Sequence, residues 1–213
     1  CMLTPDSQHS HQSVTAPILL IACGAIAREL IELQNHDQWS CFKIQCLPAN
    51  LHNSPGRIPE MVRELIEKNT AQFEHIFVAY ADCGTGGRLD EVLDQYNIDR
   101  LPGAHCYEFY SSSEIFKKFS SEEPGTFFLT DFLVRNFNRL IKQGLGLIDH
   151  PELLSQYFGN YKRVMYLSQD QSQNLSSLAH EHALYLGLEF CEFHTGLVPL
   201  RDAISEQTLR WRP

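Results

Sequence analysis

Two hydrophobic rhythms alternate along the first half of the chain. Ile18–Ala22 (ILLIA) and His75–Tyr80 (HIFVAY) are continuous apolar runs of strand length, the pattern of parallel strands covered on both faces. Phe42–Leu47 reads as a further strand between them. Ala25–Leu33 (AIARELIEL), about 59–68 and Arg88–Tyr96 instead place apolar residues three and four apart, the period of an amphipathic helix. A short segment at Asp99–Leu101 closes this half. Strand and helix in alternation predict an α/β fold, with a mostly parallel sheet and helices on both faces in a Rossmann-like arrangement.

The second half is less regular. Gly125–Thr130, Val164–Ser168 (VMYLS) and Leu188–Phe193 (LEFCEF) predict strands. Asp131–Gln143 and Leu175–Leu186 predict helices, with a shorter one ending near Phe158. These strands either extend the first sheet or build a second lobe that closes over it. The expected organisation is a polar tail at 1–15, an α/β lobe at 16–110 and a second α/β half at 111–213. The acidic, serine-rich stretch Ser111–Glu123 is the expected boundary.

Composition narrows the function. Of the 213 residues 43% are hydrophobic and 20% charged, which argues against disorder. Acidic residues outnumber basic ones 26 to 17, for a net charge of −9, the wrong sign for a surface that tracks phosphates. Nucleic acid is therefore not the expected partner. No apolar run nears the roughly 20 residues that span a bilayer, and no basic-then-apolar start marks a secretory signal. The reading is a soluble, cytoplasmic protein with no membrane partner. Seven cysteines, an odd number, fit a reducing compartment, where they serve as core fillers, metal ligands or nucleophiles.

Open α/β sheets bind ligands beyond the carboxyl ends of their strands. Cys23, Cys83 and Cys106 each follow an expected strand, in loops that also carry glycine or histidine. Thiolates from separate strand ends can converge on one ion, and zinc accepts Cys and His. His105, beside Cys106, and His52, in the loop after the second strand, are the candidate remaining ligands or proton carriers. A local cluster motif is missing, so zinc is favoured over an iron–sulfur cluster. Cys41, Cys46 and Cys191 lie in or beside apolar segments and read as packed small hydrophobes. The turn Gly84-Thr85-Gly86-Gly87 precedes a helix and offers amides to an anionic cofactor or ligand, although no P-loop lysine follows. Asp131 and Arg135, four apart, read as a helix-surface ion pair. Tyr107, Tyr110, Tyr157 and Tyr161 are aromatic core by default, or a pocket lining. His180 and His182, two apart on a helix, face different ways.

Five segments taken together resemble a known family. They are Ile21–Leu30 (IACGAIAREL), Leu47–Asn53 (LPANLHN), Ala79–Gly87 (AYADCGTGG), Pro102–Phe109 (PGAHCYEF) and Tyr157–Arg163 (YFGNYKR). The resemblance, over about Ile18–Thr195, is to domain-of-unknown-function family 1638. Cys191–Gly196 follows the pattern more loosely. The resemblance implies a place beside corrinoid-dependent methyl transfer, with a corrinoid protein or methyltransferase as partner, or beside methionine synthesis. The expectation is thus a metal-binding α/β protein of one-carbon metabolism, with zinc the favoured ion, either a methyltransferase component or an accessory factor. Corrinoid itself is not an expected tight ligand, because no Asp-x-His-x-x-Gly run supplies a lower axial histidine. The alternative is a metal-free enzyme with Cys83 as nucleophile and His105 as its base.

Overall fold

The apolar runs become the strands of two separate three-stranded sheets. The computed structural model describes residues 18–35, 39 and 41–211; Cys1, His9, His11 and the expected tail lie outside them. The first half runs β1 (Ile18–Cys23), α1 (Ala27–Asn35), β2 (Phe42–Leu47), α2 (Ile58–Asn69), β3 (His75–Ala79) and α3 (Arg88–Tyr96). Two further helices, α4 (Tyr107–Ser111) and α5 (Ser113–Glu122), lead into the second half. There follow β4 (Thr126–Thr130), α6 (Asp131–Phe137), α7 (Leu153–Phe158), β5 (Arg163–Ser168), α8 (Ser176–Leu186), β6 (Glu189–His194) and α9 (Val198–Thr208).

All named pairings are parallel, in the orders β2-β1-β3 and β4-β5-β6. β1 is central, which is why all six of its residues are buried. β2 is an edge strand, and its interior positions are exposed or half-buried. Cys46 falls on such a position and is exposed, so it is not the packed hydrophobe its neighbours suggest. The first sheet changes direction at β1, with β2 on one side and β3 on the other. A crevice opens at such a reversal, outside the carboxyl ends of the strands. The order β4-β5-β6 contains no reversal, so the first sheet is the one built to hold a ligand.

Period-two alternation joins the halves. On β5, Val164 and Tyr166 pack into a core of the second half, whereas Met165 and Leu167 join the main core with Phe128 of β4. Helix α9 returns to the first half, and its Leu200 and Ile204, four apart, are fully buried in that main core. Two elements depart from the sequence reading. The Ser111–Glu123 stretch contains α5, whose Phe116 and Phe119 pack against the main core while Ser113, Glu114, Ser121 and Glu122 face outward. The expected helix 131–143 is α-helical only to Phe137; Asn138–Gln143 form a π-helical segment. Wider turns of this kind recur at functional sites.

Candidate metal centre

Each loop at the crevice is held by a specific backbone feature. Cys23 ends β1, and its sulfur accepts the Ala25 N–H at 3.2 Å, capping the turn that follows. The next residue must be small, because a Cβ on Gly24 would lie 2.8 Å from the Leu47 carbonyl oxygen. That close approach brings the loop after β2, and with it His52, against Cys23. Cys83 has φ of 48°, a left-handed conformation that costs a non-glycine residue energy. Two backbone bonds hold it there, Cys83 N–H to the Ala104 carbonyl at 2.9 Å and Asp82 N–H to the Gly103 carbonyl at 3.1 Å. They tie the loop after β3 to the loop carrying Cys106.

The result is a cluster in which one ring nitrogen of His52 and the sulfurs of Cys83 and Cys106 all lie within 4.8 Å of one another. The Cys23 sulfur is outside this group of three but adjoins it, 3.7 Å from His52 Nδ1 and 3.9 Å from Nε2. His52 Nδ1 also lies 2.9 Å from the Ala49 carbonyl oxygen. A proton donated there leaves Nε2 with its lone pair, the tautomer a metal needs and the usual way a ligating imidazole is oriented. His105 is placed differently. It lines the neighbouring cavity, with its ring 6.2 Å from Phe116 and 6.5 Å from Tyr107, and it is not in the group of three.

The electrostatics are those of a polarised thiol pair. The Cys106 thiol hydrogen-bonds Cys83, burial opposes this, and His52 adds to it, so the Cys83 thiol is pulled down to about 5. The same bond, with burial, pushes Cys106 well up. Burial pushes His52 down, but the sulfurs of Cys23 and Cys83 outweigh it and raise the imidazole to about 11. His52 sits in the cavity wall and remains exposed to water. With Cys83 a thiolate, the protons left on the Cys106 thiol and on the His52 imidazolium are the ones a cation displaces.

The group opens on a cavity of about 380 Å³. Ala25, Pro55, Tyr107 and Tyr110 of the first half line it together with Phe127, Phe132, Leu133, Leu140 and Ile141 of the second. Leu140 and Ile141 come from the π-helical segment, and the Asn53 side-chain amide donates to the Leu140 carbonyl oxygen at 3.4 Å. The second half therefore covers the crevice and is tied to the loop that carries His52. A family model described as Protein of unknown function (DUF1638) matches residues 46–204.

The chain belongs to this family. The match spans His52, Cys83, His105 and Cys106, and no curated protein or solved structure matches the chain. Other expected positions in this DUF1638 chain have other surroundings. The amides of Gly86 and Gly87 donate to the Asp82 carboxylate at 3.1 and 2.8 Å, and the Thr85 hydroxyl donates to it at 2.7 Å. The anion held by the glycine turn is thus the protein's own, which pulls Asp82 down to about 2; of the turn, only Gly84 lines the cavity. Asp131 is buried rather than on the surface: it accepts from the Tyr166 hydroxyl at 2.7 Å and from the amides of Gln169 and Asp170, joining the ends of β4 and β5. Arg135 remains 3.6 Å from it. Cys41 and Cys191 are half-buried against the core. His182 is buried, stacked on Phe137 and bonded to the Val134 carbonyl, while His180 stacks on Phe190. Of the tyrosines, Tyr107 and Tyr110 line the cavity, Tyr157 is exposed and Tyr161 packs on Phe127 and Phe158.

Two buried groups were not legible as site neighbours. Glu29 of α1, one turn beyond Ala25, is 3% exposed, and its Oε2 has no hydrogen-bond partner among the described residues. The Tyr110 hydroxyl is likewise buried and unpartnered among them. No sequence signal marks either as special, since an acid on an amphipathic helix ordinarily faces water. Among the described residues, no helix is long and apolar enough to cross a membrane.

Proposed function

We propose that Cys83, Cys106 and His52 hold a zinc ion, with Cys23 beside His52 but outside the ligand set, and that this centre serves methyl transfer in one-carbon metabolism. The observation that carries the reading is the tight grouping of these three donors, within 4.8 Å, at the mouth of a cavity. Two sulfurs and an imidazole are a donor set that zinc prefers, and three protein ligands leave the fourth position for a substrate, the pattern of catalytic rather than structural sites. A zinc held there would bind a substrate thiol and lower its pKa, so that the sulfur is a thiolate at neutral pH.

The protein's part in the step is to place that thiolate. Cys83 and Cys106 orient the sulfur, the apolar wall of the cavity keeps water from it, and its proton leaves to solvent before transfer. The sulfur's electron pair then forms a bond to the methyl carbon of a methyl–cobalt(III) corrinoid. The carbon–cobalt pair stays on cobalt, giving cobalt(I). The corrinoid partner comes from the family resemblance, and the same centre also suits an accessory factor that binds the methyltransferase or corrinoid protein.

A test is to combine the metal-replete protein with methylcobalamin and a small thiol. Thioether and cob(I)alamin formation that requires both metal and Cys83 supports the methyltransferase component. Bound metal without turnover, together with binding to a corrinoid protein, supports the accessory role. A second reading draws on the hydrogen-bonded Cys83 and His52: a metal-free nucleophilic cysteine, for which His52 is the better placed base than His105. It predicts alkylation of Cys83 and full activity after chelation.

A further inference from the structure

Resting on that reading, the cavity beyond the three donors defines what the ligand's body can be. At about 380 Å³ it is at the small end of ligand pockets. Among the described residues, no Asp, Glu, Lys or Arg side chain lines it. Its walls are mainly Ile26, Phe127, Phe132, Leu133, Leu140 and Ile141. A charge placed there loses its water and meets no Lys or Arg, only the polar tips of side chains such as Asn53, Tyr110 and His105, which compensate it incompletely.

The arginines and helix-start amides close by are already in use. Arg135 lies 3.6 Å from the buried Asp131. Arg88 donates from Nε to the Thr85 carbonyl at 3.1 Å, and its guanidinium lies against Gly56. At the start of α6, the Asp131 amide donates to Gln169 Oε1 and the Leu133 amide to Thr130 Oγ1. The Ala104 amide, ahead of α4, donates to Glu108. Two buried acids, Glu29 one turn from Ala25 and Asp131 beside Phe132 in sequence, do nothing to attract an anion. With a thiolate substrate and two cysteine ligands around one dication, the centre is already anionic, so a second negative charge on the substrate adds repulsion.

We infer that the ligand of this site is a small thiol with an uncharged, apolar body, and that thiols bearing a carboxylate or sulfonate are rejected. The geometry of the cavity thus separates alkyl or aryl thiols from acidic ones.

The test uses the full chain loaded with cobalt(II), whose thiolate charge-transfer bands report both the site and its fourth ligand. Butanethiol, mercaptopropionate and mercaptoethanesulfonate are titrated in turn at fixed pH. The expected result is a dissociation constant for butanethiol at least about tenfold below those of the two anionic thiols. Leu133→Trp, which fills the cavity, should weaken butanethiol while the bands of the thiol-free protein persist; if that variant does not take up cobalt, Ile141→Phe serves instead. Anionic thiols binding as well as butanethiol or better, or no spectral response to any thiol, would overturn the inference and leave the metal site standing. Failure of the unmodified protein to give cobalt–thiolate bands at all would overturn the proposed function, and the inference with it.

Discussion

Replacing Glu29 by glutamine tests the electrostatics behind the cavity wall. The carboxyl is buried on α1, and burial, with a smaller contribution from Asp131, pushes it from 4.5 up to about 7 against the pull of its own backbone bond, Arg135 and Arg28. The sign follows from where the proton resides. Between pH 4.5 and about 7 the folded protein keeps a proton on Glu29 that the unfolded chain has released, so folding becomes less favourable as pH rises through that window. Above it both states are ionised and the penalty stays constant. A shift from 4.5 to about 7 corresponds to a cost on the order of 3 kcal/mol at pH 8. Glutamine keeps the shape and cannot ionise, although its amide brings a donor that needs a partner, at roughly 1 kcal/mol. Urea unfolding of wild type and Glu29→Gln, at equal metal content from pH 4 to 8.5, isolates the effect as a difference. The variant should gain on wild type by about 2–3 kcal/mol between the two ends of the range, with an unchanged denaturant slope. Parallel pH profiles, or a wild type that gains on the variant as pH rises, would refute the reasoning.

The cysteines and histidines should separate by place. Cys83→Ser should remove most bound metal, while Cys46→Ala and Cys191→Val leave it unchanged by elemental analysis; equal loss in all three would put the site elsewhere. His52→Ala should lower metal affinity by at least about tenfold in competition with a chromophoric chelator, and His105→Ala should not, since the latter ring packs among aromatics outside the group of three. Asp131→Ala strands the Tyr166 hydroxyl, the buried Gln169 amide and the half-buried Asp170 amide, so thermal and urea unfolding should show a loss of about 3–5 kcal/mol; under 1 kcal/mol would mean that these bonds do not hold the β4 and β5 ends together.

Much of the fold was legible because a parallel strand covered on both faces must be apolar throughout, as β1 is. Which strands share a sheet was not, since pairing is decided by residues far apart in sequence. Helix α5 hid behind its solvent face of serines and acids, with Phe116 and Phe119 its main inward marks. Helix α9 carries the same kind of sparse stripe, Leu200 and Ile204. At the site, the arrival of Cys23, Cys83 and Cys106 at the carboxyl edge of the first half could be read from the strand ends. The choice between His52 and His105 could not. Adjacent residues point different ways, so proximity to Cys106 in sequence turned His105 toward Phe116, while the close packing at Gly24 carried His52 in from another loop. Local spacing also misled at Asp131, because i,i+4 geometry says nothing about what a helix face packs against, and at Gly84–Gly87, where the preceding Asp82 supplies the anion.

The claim on which the rest depends is that the His52, Cys83 and Cys106 group binds a metal. Elemental analysis of untagged protein, expressed with ample zinc and purified without chelator, tests it most directly. The account predicts about one equivalent of zinc per chain, lost in Cys83→Ser, as expected for a site of three protein ligands. Less than about a tenth of an equivalent of zinc or any other transition metal in the unmodified protein would contradict it, and would leave Cys83 as a nucleophile in need of a different chemistry.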